Sequence, residues 1–170
     1  MIGASPSVPE PNHGDLIIRP VRIEDQVAIE GIFSEDTIGG GFNLQETATL
    51  VSTYESNPDS RLWVAEIGDA GPVGVVGVWH ADDHVAELRR LRVLRQYRKR
   101  GIGRRLVETA LGHCRERAYL KIILDTDVNR AAAIALFEAF GFELTRTRDV
   151  DGRKLHDFYL NLYRDVSDQN

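Results

Sequence analysis

Cysteine is almost missing: one residue in 170, Cys114. A disulfide within the chain is therefore excluded. The lone thiol stands in the helically periodic stretch LVETALGHCRERA and reads as a small buried hydrophobe rather than a nucleophile. Also missing is any run of the ~18 apolar residues needed to cross a bilayer. The opening MIGASPSVPEPNHG has three prolines but no basic segment leading into an apolar run, so no signal peptide is expected. Cytoplasm is the default compartment, with no membrane partner. Positive charge is short overall, 21 Lys and Arg against 26 Asp and Glu for a net −5, which argues against a general nucleic-acid or membrane-surface binder.

What is present is uneven. Nine Lys or Arg and no Asp or Glu lie between Arg89 and Arg105, so the remainder of the chain carries −14. A basic run is commonly only a solvated face. As a nucleic-acid arm this one lacks a series of interleaved aromatic platforms, and no nucleic-acid partner is expected. Its two glycines, in RKRGIG, give it a grammar of its own.

The length fits one domain with a real core. Residues 1–14 read as a flexible leader, 15–164 as a single domain and 165–170 as a polar tail. DLIIRPVRIEDQ opens with an apolar run across Pro20, which suits an edge strand. QVAIEGIF follows as a short amphipathic helix, read from Val27, Ile29 and Ile32, with the Asp25 carboxylate able to cap it. SEDTIGGGFNLQ is a Gly-rich loop, and ETATLVSTYESN a second helix. RLWVAEIG, VGVVGVWH and VAELRRLRVL form an antiparallel meander. Apolar residues at 102, 106, 107, 110, 111 and 114 then predict a helix to about Ala118. YLKIILDTDV reads as a buried central strand. Asn129 opens a helix with Ala133, Leu136, Phe137 and Phe140 on one face and Gly141 as its stop. A hairpin turns at Asp151-Gly152. The order β α α β β β α β α β β gives an α+β chain without internal repeats.

A strand, a basic loop with glycines and a helix make an anion site, because unpaired N–H groups and the helix dipole face the loop. GIGRRL lacks the Gly-Lys-Ser/Thr of a Walker loop. A dinucleotide fingerprint needs a third glycine where Leu106 stands, although Asp125 some ~20 residues on keeps that alternative open. RKRGIG resembles instead the (Arg/Gln)-x-x-Gly-x-(Gly/Ala) signature of the GNAT superfamily of acetyl-CoA-dependent N-acetyltransferases, with Arg98, Gly101 and Gly103 in its fixed places. ELRRLRV looks like that family's fourth strand, NRAAAIALFEAFGF like its Asn-x-x-Ala helix ending in Gly-Phe, and the element order matches from about Asp15 to Tyr163.

The resemblance implies a mixed, mostly antiparallel sheet flanked by helices and splayed between its fourth and fifth strands, with acetyl-CoA as cosubstrate and no metal. Residues 98 to 104 (Arg98, Lys99, Arg100, Gly101, Ile102, Gly103, Arg104) would hold the pyrophosphate, the glycines allowing close backbone approach. Leu91, Arg92 and Val93 would pair with the pantetheine arm, and Asn129 would reach its amides or serve only as a helix cap. Glu87, eleven residues before Arg98, would be the general base or simply an arginine's partner, and the Val93 N–H the oxyanion donor. The family's usual thiolate-protonating tyrosine is here Phe137, which has no proton to give and would pack along the cofactor or core. Water, Tyr159 or Tyr163 are the remaining proton sources. A non-catalytic acyl-CoA-binding module on the same scaffold is the alternative reading.

The acceptor would be a small-molecule or peptide amine, shaped by SEDTIGGGFN and RDVDGRK. Glu35, Asp36, Asp149 and Asp151 hint at a cationic one. Family members often form homodimers. His80 and His84 in HADDH read as a polar turn rather than a metal site, and His113 and His156 are isolated.

Overall fold

Pro20 cannot donate to a strand on both sides, and the strand it ends, β1 (Leu16–Pro20), lies at one edge of a seven-stranded sheet. The computed structural model describes residues 16–35 and 43–163. The expected leader, most of the Gly-rich loop and the polar tail lie outside the described residues. Beside β1 run β2 (Arg61–Ile67), β3 (Gly71–His80) and β4 (Val85–Val93), each antiparallel to the last. Next to β4 comes β5 (Lys121–Asp127), in the one parallel pairing. The hairpin of β6 (Glu143–Val150) and β7 (Arg153–Asn161) completes the order β1-β2-β3-β4-β5-β7-β6. Asp151 and Gly152 take positive φ at its turn, as a tight two-residue hairpin requires.

The apolar periodicity from residue 102 becomes α4 (Ile102–Glu116), whose Ile102, Leu106, Val107, Ala110, Leu111 and Cys114 are all buried. With α5 (Ala131–Ala139) it covers one face of the sheet, over Ala86, Leu88, Ile122 and Phe158. On the opposite face α1 (Gln26–Ser34) and α3 (Leu50–Glu55) bury Ile29, Ile32, Phe33, Val51 and Tyr54 over Leu62, Val64 and Val75. A short α2 (Leu44–Ala48) packs beside α1. The expected second helix is thus two, parted at Thr49. The Gln26 side chain holds the break: its amide donates to Thr47 O and its oxygen accepts from the Val51 N–H.

Two expectations about α1 fail. Val27 is 78 % exposed, and the buried stripe is Ile29, Ile32 and Phe33. Asp25 does not cap the helix. Its carboxylate is 6 % exposed, accepts from the Arg22 N–H and is gripped by both terminal nitrogens of Arg19 at 2.7 and 2.8 Å. Burial pushes the Asp25 pKa up, but the Arg19 guanidinium and the Arg22 N–H outweigh it and hold the group below the ordinary carboxylate value. Cys114 is fully buried and its thiol is pushed up to about 12, so it behaves as a hydrophobe.

Tyr54 is 4 % exposed, yet among the described residues its hydroxyl has no hydrogen-bond partner. It lies against Gly77, where any Cβ would collide with the phenol, and burial pushes its pKa up to about 12. Because an unpaired buried hydroxyl costs about 1–3 kcal/mol, Tyr54→Phe is expected to leave stability unchanged or raise it by up to about 1 kcal/mol. Urea unfolding measures this, and a loss above that size would mean that the hydroxyl is satisfied by water.

Candidate active site

The β4–β5 pairing is short. Val85, Ala86 and Glu87 align with Lys121, Ile122 and Ile123, and there the ladder ends. Beyond it β4 carries a bulge: Val75 faces Arg92 and Gly77 faces Arg89, so Arg90 and Leu91 together oppose Val76. Arg90 takes the left-handed conformation, φ 64°, at this point. The bulge bends β4 away from β5 and opens a cleft of about 290 Å3, walled by β4 from Glu87 to Arg92, by the end of β5 and by α5. Phe137 and Ala133 form the α5 wall. Phe137 is buried, edge-on to Phe142 at 5.7 Å, so it packs as the sequence suggested.

Past Val93 the chain makes a tight turn, and Lys99 (φ 62°) and Gly101 (φ 77°) both adopt the left-handed region before α4 begins at Ile102. Alternating conformations of this kind turn successive N–H groups to one side, where the unpaired donors of the first helical turn join them. No side chain caps α4. The two glycines serve different ends. A Cβ on Gly101 would meet nothing within 4 Å, so its need is the positive φ. One on Gly103 would stand 3.4 Å from Leu136 Cδ2, so that glycine lets α4 approach α5.

The arginines around this turn are engaged. Arg98 Nε donates to Val93 O at 2.8 Å, Arg100 lies over Tyr97 and Arg104 over Phe140. Neither Val93 nor residues 98 to 104 line the cleft itself; they extend from its β4 wall to the α4–α5 junction.

Glu87 occupies the last position of β4 that pairs with β5. Its carboxylate, 22 % exposed, accepts from Arg89 at 2.5 Å. The Arg89 guanidinium lies 5.4 Å over Trp79, and Trp79 meets Tyr54 edge-on at 5.4 Å. A second groove of about 470 Å3 crosses the open face of β5, β7 and β6. Glu87 and Asp125 line both cavities, so the two meet at these carboxylates. In that groove Asp157 is bound by Arg146 and Arg148, which outweigh its burial and hold its pKa below the usual range. Tyr159 donates to Glu143 at 2.8 Å, and Tyr163 is 65 % exposed. Of the acceptor-side acids, Glu35 accepts from the Arg95 N–H, Asp149 and Asp151 belong to the final hairpin and Asp36 is outside the described residues.

Asn129 does not cap α5, which begins two residues later with Arg130 at the cap position. Its N–H and its side-chain amide both donate to Asp127 Oδ1, at 2.9 and 3.0 Å. Asn129 is absent from the cleft lining, whereas its neighbours Asp127 and Arg130 are part of it. Sequence reasoning missed both of these, and Arg153 as well. Arg130 reaches across the opening toward Leu91 O at 3.4 Å, a carbonyl that also accepts from Arg92 at 2.8 Å. The run DTDVN carries a readable signal for Asp127, since an aspartate two residues before a helix-opening segment favours a turn. Nothing local marks Arg153, which arrives from β7.

A strand edge not paired with β5 beyond Glu87, a cleft beside it and a turn of backbone donors at its end suit an extended ligand with amides in its middle and phosphates at one end. Coenzyme A has that form, so the residues present fit it. The match to known proteins agrees: residues 28–142 fit the family model described as Acetyltransferase (GNAT) family. The chain belongs to the GNAT acetyltransferase family. Its relatives include human N-acetyltransferase 8, 32 % identical over 59 % of this chain and 46 % of that protein. Probable N-acetyltransferase camello of Xenopus tropicalis is 32 % identical over 68 % and 54 %. The chain thus spans about half the length of these curated relatives. The GNAT fold is matched by the solved yncA of Salmonella typhimurium with its cofactor acetyl-CoA, at a TM-score of 0.73, 19 % identity, 87 % of this chain and 94 % of that one. A GNAT acetyltransferase of Staphylococcus aureus Mu50 gives 0.75, 17 %, 86 % and 99 %.

Proposed function

We propose that the chain transfers acetyl from acetyl-CoA to a primary amine by direct attack in a ternary complex. The observation that carries this is the meeting of the two cavities at Glu87: one runs along the part of β4 that β5 leaves unpaired and the other over the open sheet face. In this reading the cofactor lies in the first and the acceptor arrives through the second.

An alkyl ammonium with pKa near ~10.4 must lose a proton before it can attack. Glu87, at the junction, takes that proton directly or through one water. The amine nitrogen bonds to the acetyl carbon as the carbon–sulfur bond breaks, and the electron pair leaves with the thiolate. Charge growing on the acetyl oxygen is met by the Val93 N–H. The pyrophosphate lies against the backbone of residues 98 to 104, with Arg98, Arg100 and Arg104 around it. Acceptors with a cationic group remain the favoured class.

The deciding measurement is thiol release from acetyl-CoA across a broad amine panel. Saturable, amine-dependent release is the expected result. The absence of both saturable acetyl-CoA binding and thiol release with every acceptor would overturn the reading, while tight binding without release would favour a non-catalytic acyl-CoA module.

A further inference from the structure

Trp79 stands directly opposite Glu87 in the β3–β4 ladder, and Gly77 stands opposite Arg89. Residues two apart on a strand share a face, so these four are the corners of one patch on the side of the sheet that α3 covers. The Gly77 corner has no side chain, and Tyr54 fills it: any Cβ there would collide with the phenol. Seated at Gly77, Tyr54 meets Trp79 edge-on at 5.4 Å, and Trp79 in turn carries the Arg89 guanidinium 5.4 Å over its ring. Arg89 donates to Oε2 of Glu87 at 2.5 Å. Burial disfavours the charged guanidinium, but the hydrogen bond and the charge of Glu87 outweigh it and hold the Arg89 pKa above its usual value.

This series of contacts ends on the carboxylate where the two cavities meet. Its second oxygen, Oε1, accepts no hydrogen bond among the described residues. A glutamate side chain turns about three bonds, and the same cleft wall carries Arg90, Arg92, Arg130 and Arg153 as other cations. An arginine can rest its planar face on a ring while an N–H at its rim donates, so a stacked guanidinium restrains a carboxylate better than one loose in solvent. Trp79 lines neither cavity, and Arg89 lines only the first. Any effect of Trp79 on the reaction therefore runs through the side chains it holds.

Resting on the assignment of Glu87 as the base, we infer that Trp79 is a positioning residue for the proton transfer, acting through Arg89. The indole fixes the guanidinium, and the guanidinium fixes Glu87 with one oxygen engaged and the other left for the ammonium or a bridging water. Cofactor affinity does not depend on Trp79, which has no place in the cleft wall.

The test is steady-state thiol release by the full chain, with the amine that gives the fastest release in the panel above. Trp79→Leu keeps an apolar side chain but offers no ring face. It is expected to lower kcat roughly 5- to 30-fold, a cost of misplacement smaller than the loss of the base itself. The KM for acetyl-CoA stays within about 2-fold. Trp79→Phe, which keeps a ring face for Arg89, holds kcat within about 3-fold of wild type. In a Glu87→Gln background Trp79→Leu lowers kcat no further, because no base is left to position. If urea unfolding shows that Trp79→Leu does not fold, Arg89→Met takes its place: it removes the guanidinium, and it slows the wild type but not Glu87→Gln. An unchanged kcat, equal losses in the leucine and phenylalanine variants, an acetyl-CoA KM that rises as much as kcat falls, or full additivity with Glu87→Gln overturns the inference while Glu87 remains the base. If Glu87→Gln alone is as fast as wild type, the base assignment fails and the inference fails with it.

Discussion

Glu87→Gln is expected to lower the amine-dependent rate of thiol release at neutral pH by about 10²- to 10⁴-fold, the usual contribution of a positioned proton acceptor. The KM for acetyl-CoA should move by no more than about 2-fold, since glutamine keeps the shape of the β4 wall. The pH profile carries the diagnosis. Without the carboxylate, only amine already neutral in solution can react, so the variant's rate should climb about tenfold per pH unit up to ~10. The wild type should level off earlier. An unchanged rate would leave Glu87 only as the partner of Arg89, with which it makes a 2.5 Å ion pair. That pair does not disqualify the carboxylate. Glu87 also lines the open groove, so an ammonium in that groove has the carboxylate in its wall.

Among the described residues no phenol lines the cleft to give the departing thiolate a proton. Tyr159 is committed to Glu143, and neither it nor Tyr163 lines the cleft. The Tyr54 phenol is buried on the α3 side and pushed up to about 12, and it too is outside the lining. Among the described residues the cleft therefore contains no phenol. A thiol of pKa near ~8.5 leaves readily as its anion, so water can supply the proton afterwards, and Phe137 is compatible with turnover.

Periodicity carried the helices and strands because each buries one face. Leu106, Val107, Ala110 and Leu111 had only one way to be covered, and they are the core over β3 and β4. Where burial is not at stake, the pattern misleads. Val27 is apolar but stands about 200° round the helix from Ile29, opposite the Ile29, Ile32 and Phe33 stripe, and so faces away from the sheet. The bulge at Arg90 had no local mark, since arginine has no preference for positive φ, and only pairing with β3 makes the extra residue evident. The glycine turn was legible because glycine has few reasons to stand beside a helix start. The sequence suggested only close backbone approach for both glycines, whereas the positive φ of Gly101 and the approach of Leu136 to Gly103 emerge from the folded turn and the packing of α5. Asp127, Arg130 and Arg153 come together from the end of β5, the start of α5 and β7, so their grouping exists only in the folded chain.

Asp25→Ala is expected to cost about 3 kcal/mol or more, the range for breaking one side of a buried ion pair. In the native fold Arg19 is 15 % exposed in its side chain and shared between Asp25 and Glu66. Removing Asp25 leaves a guanidinium largely out of water with Glu66 as its one remaining carboxylate among the described residues, and takes away the acceptor of the Arg22 N–H. For a chain of this size ~3 kcal/mol lowers Tm by roughly 6–12 °C. The sign of the pH dependence follows from the direction of the Asp25 shift. Its folded pKa lies below its unfolded one, so the folded state holds the proton more weakly. The stabilisation is fully present above the unfolded value, near ~3.9, and is lost as pH falls through the folded value. Wild type should therefore lose stability below about pH 4 more steeply than Asp25→Ala, whose remaining carboxylates set a shallower slope. Thermal unfolding of both proteins between pH 7 and pH 3 measures the two curves. Parallel curves would mean that Asp25 is paired to the same extent in the unfolded chain. A second substitution separates charge from packing: adding Arg19→Met to Asp25→Ala removes the stranded guanidinium and should recover part of the loss, because an apolar replacement for a buried pair is often neutral.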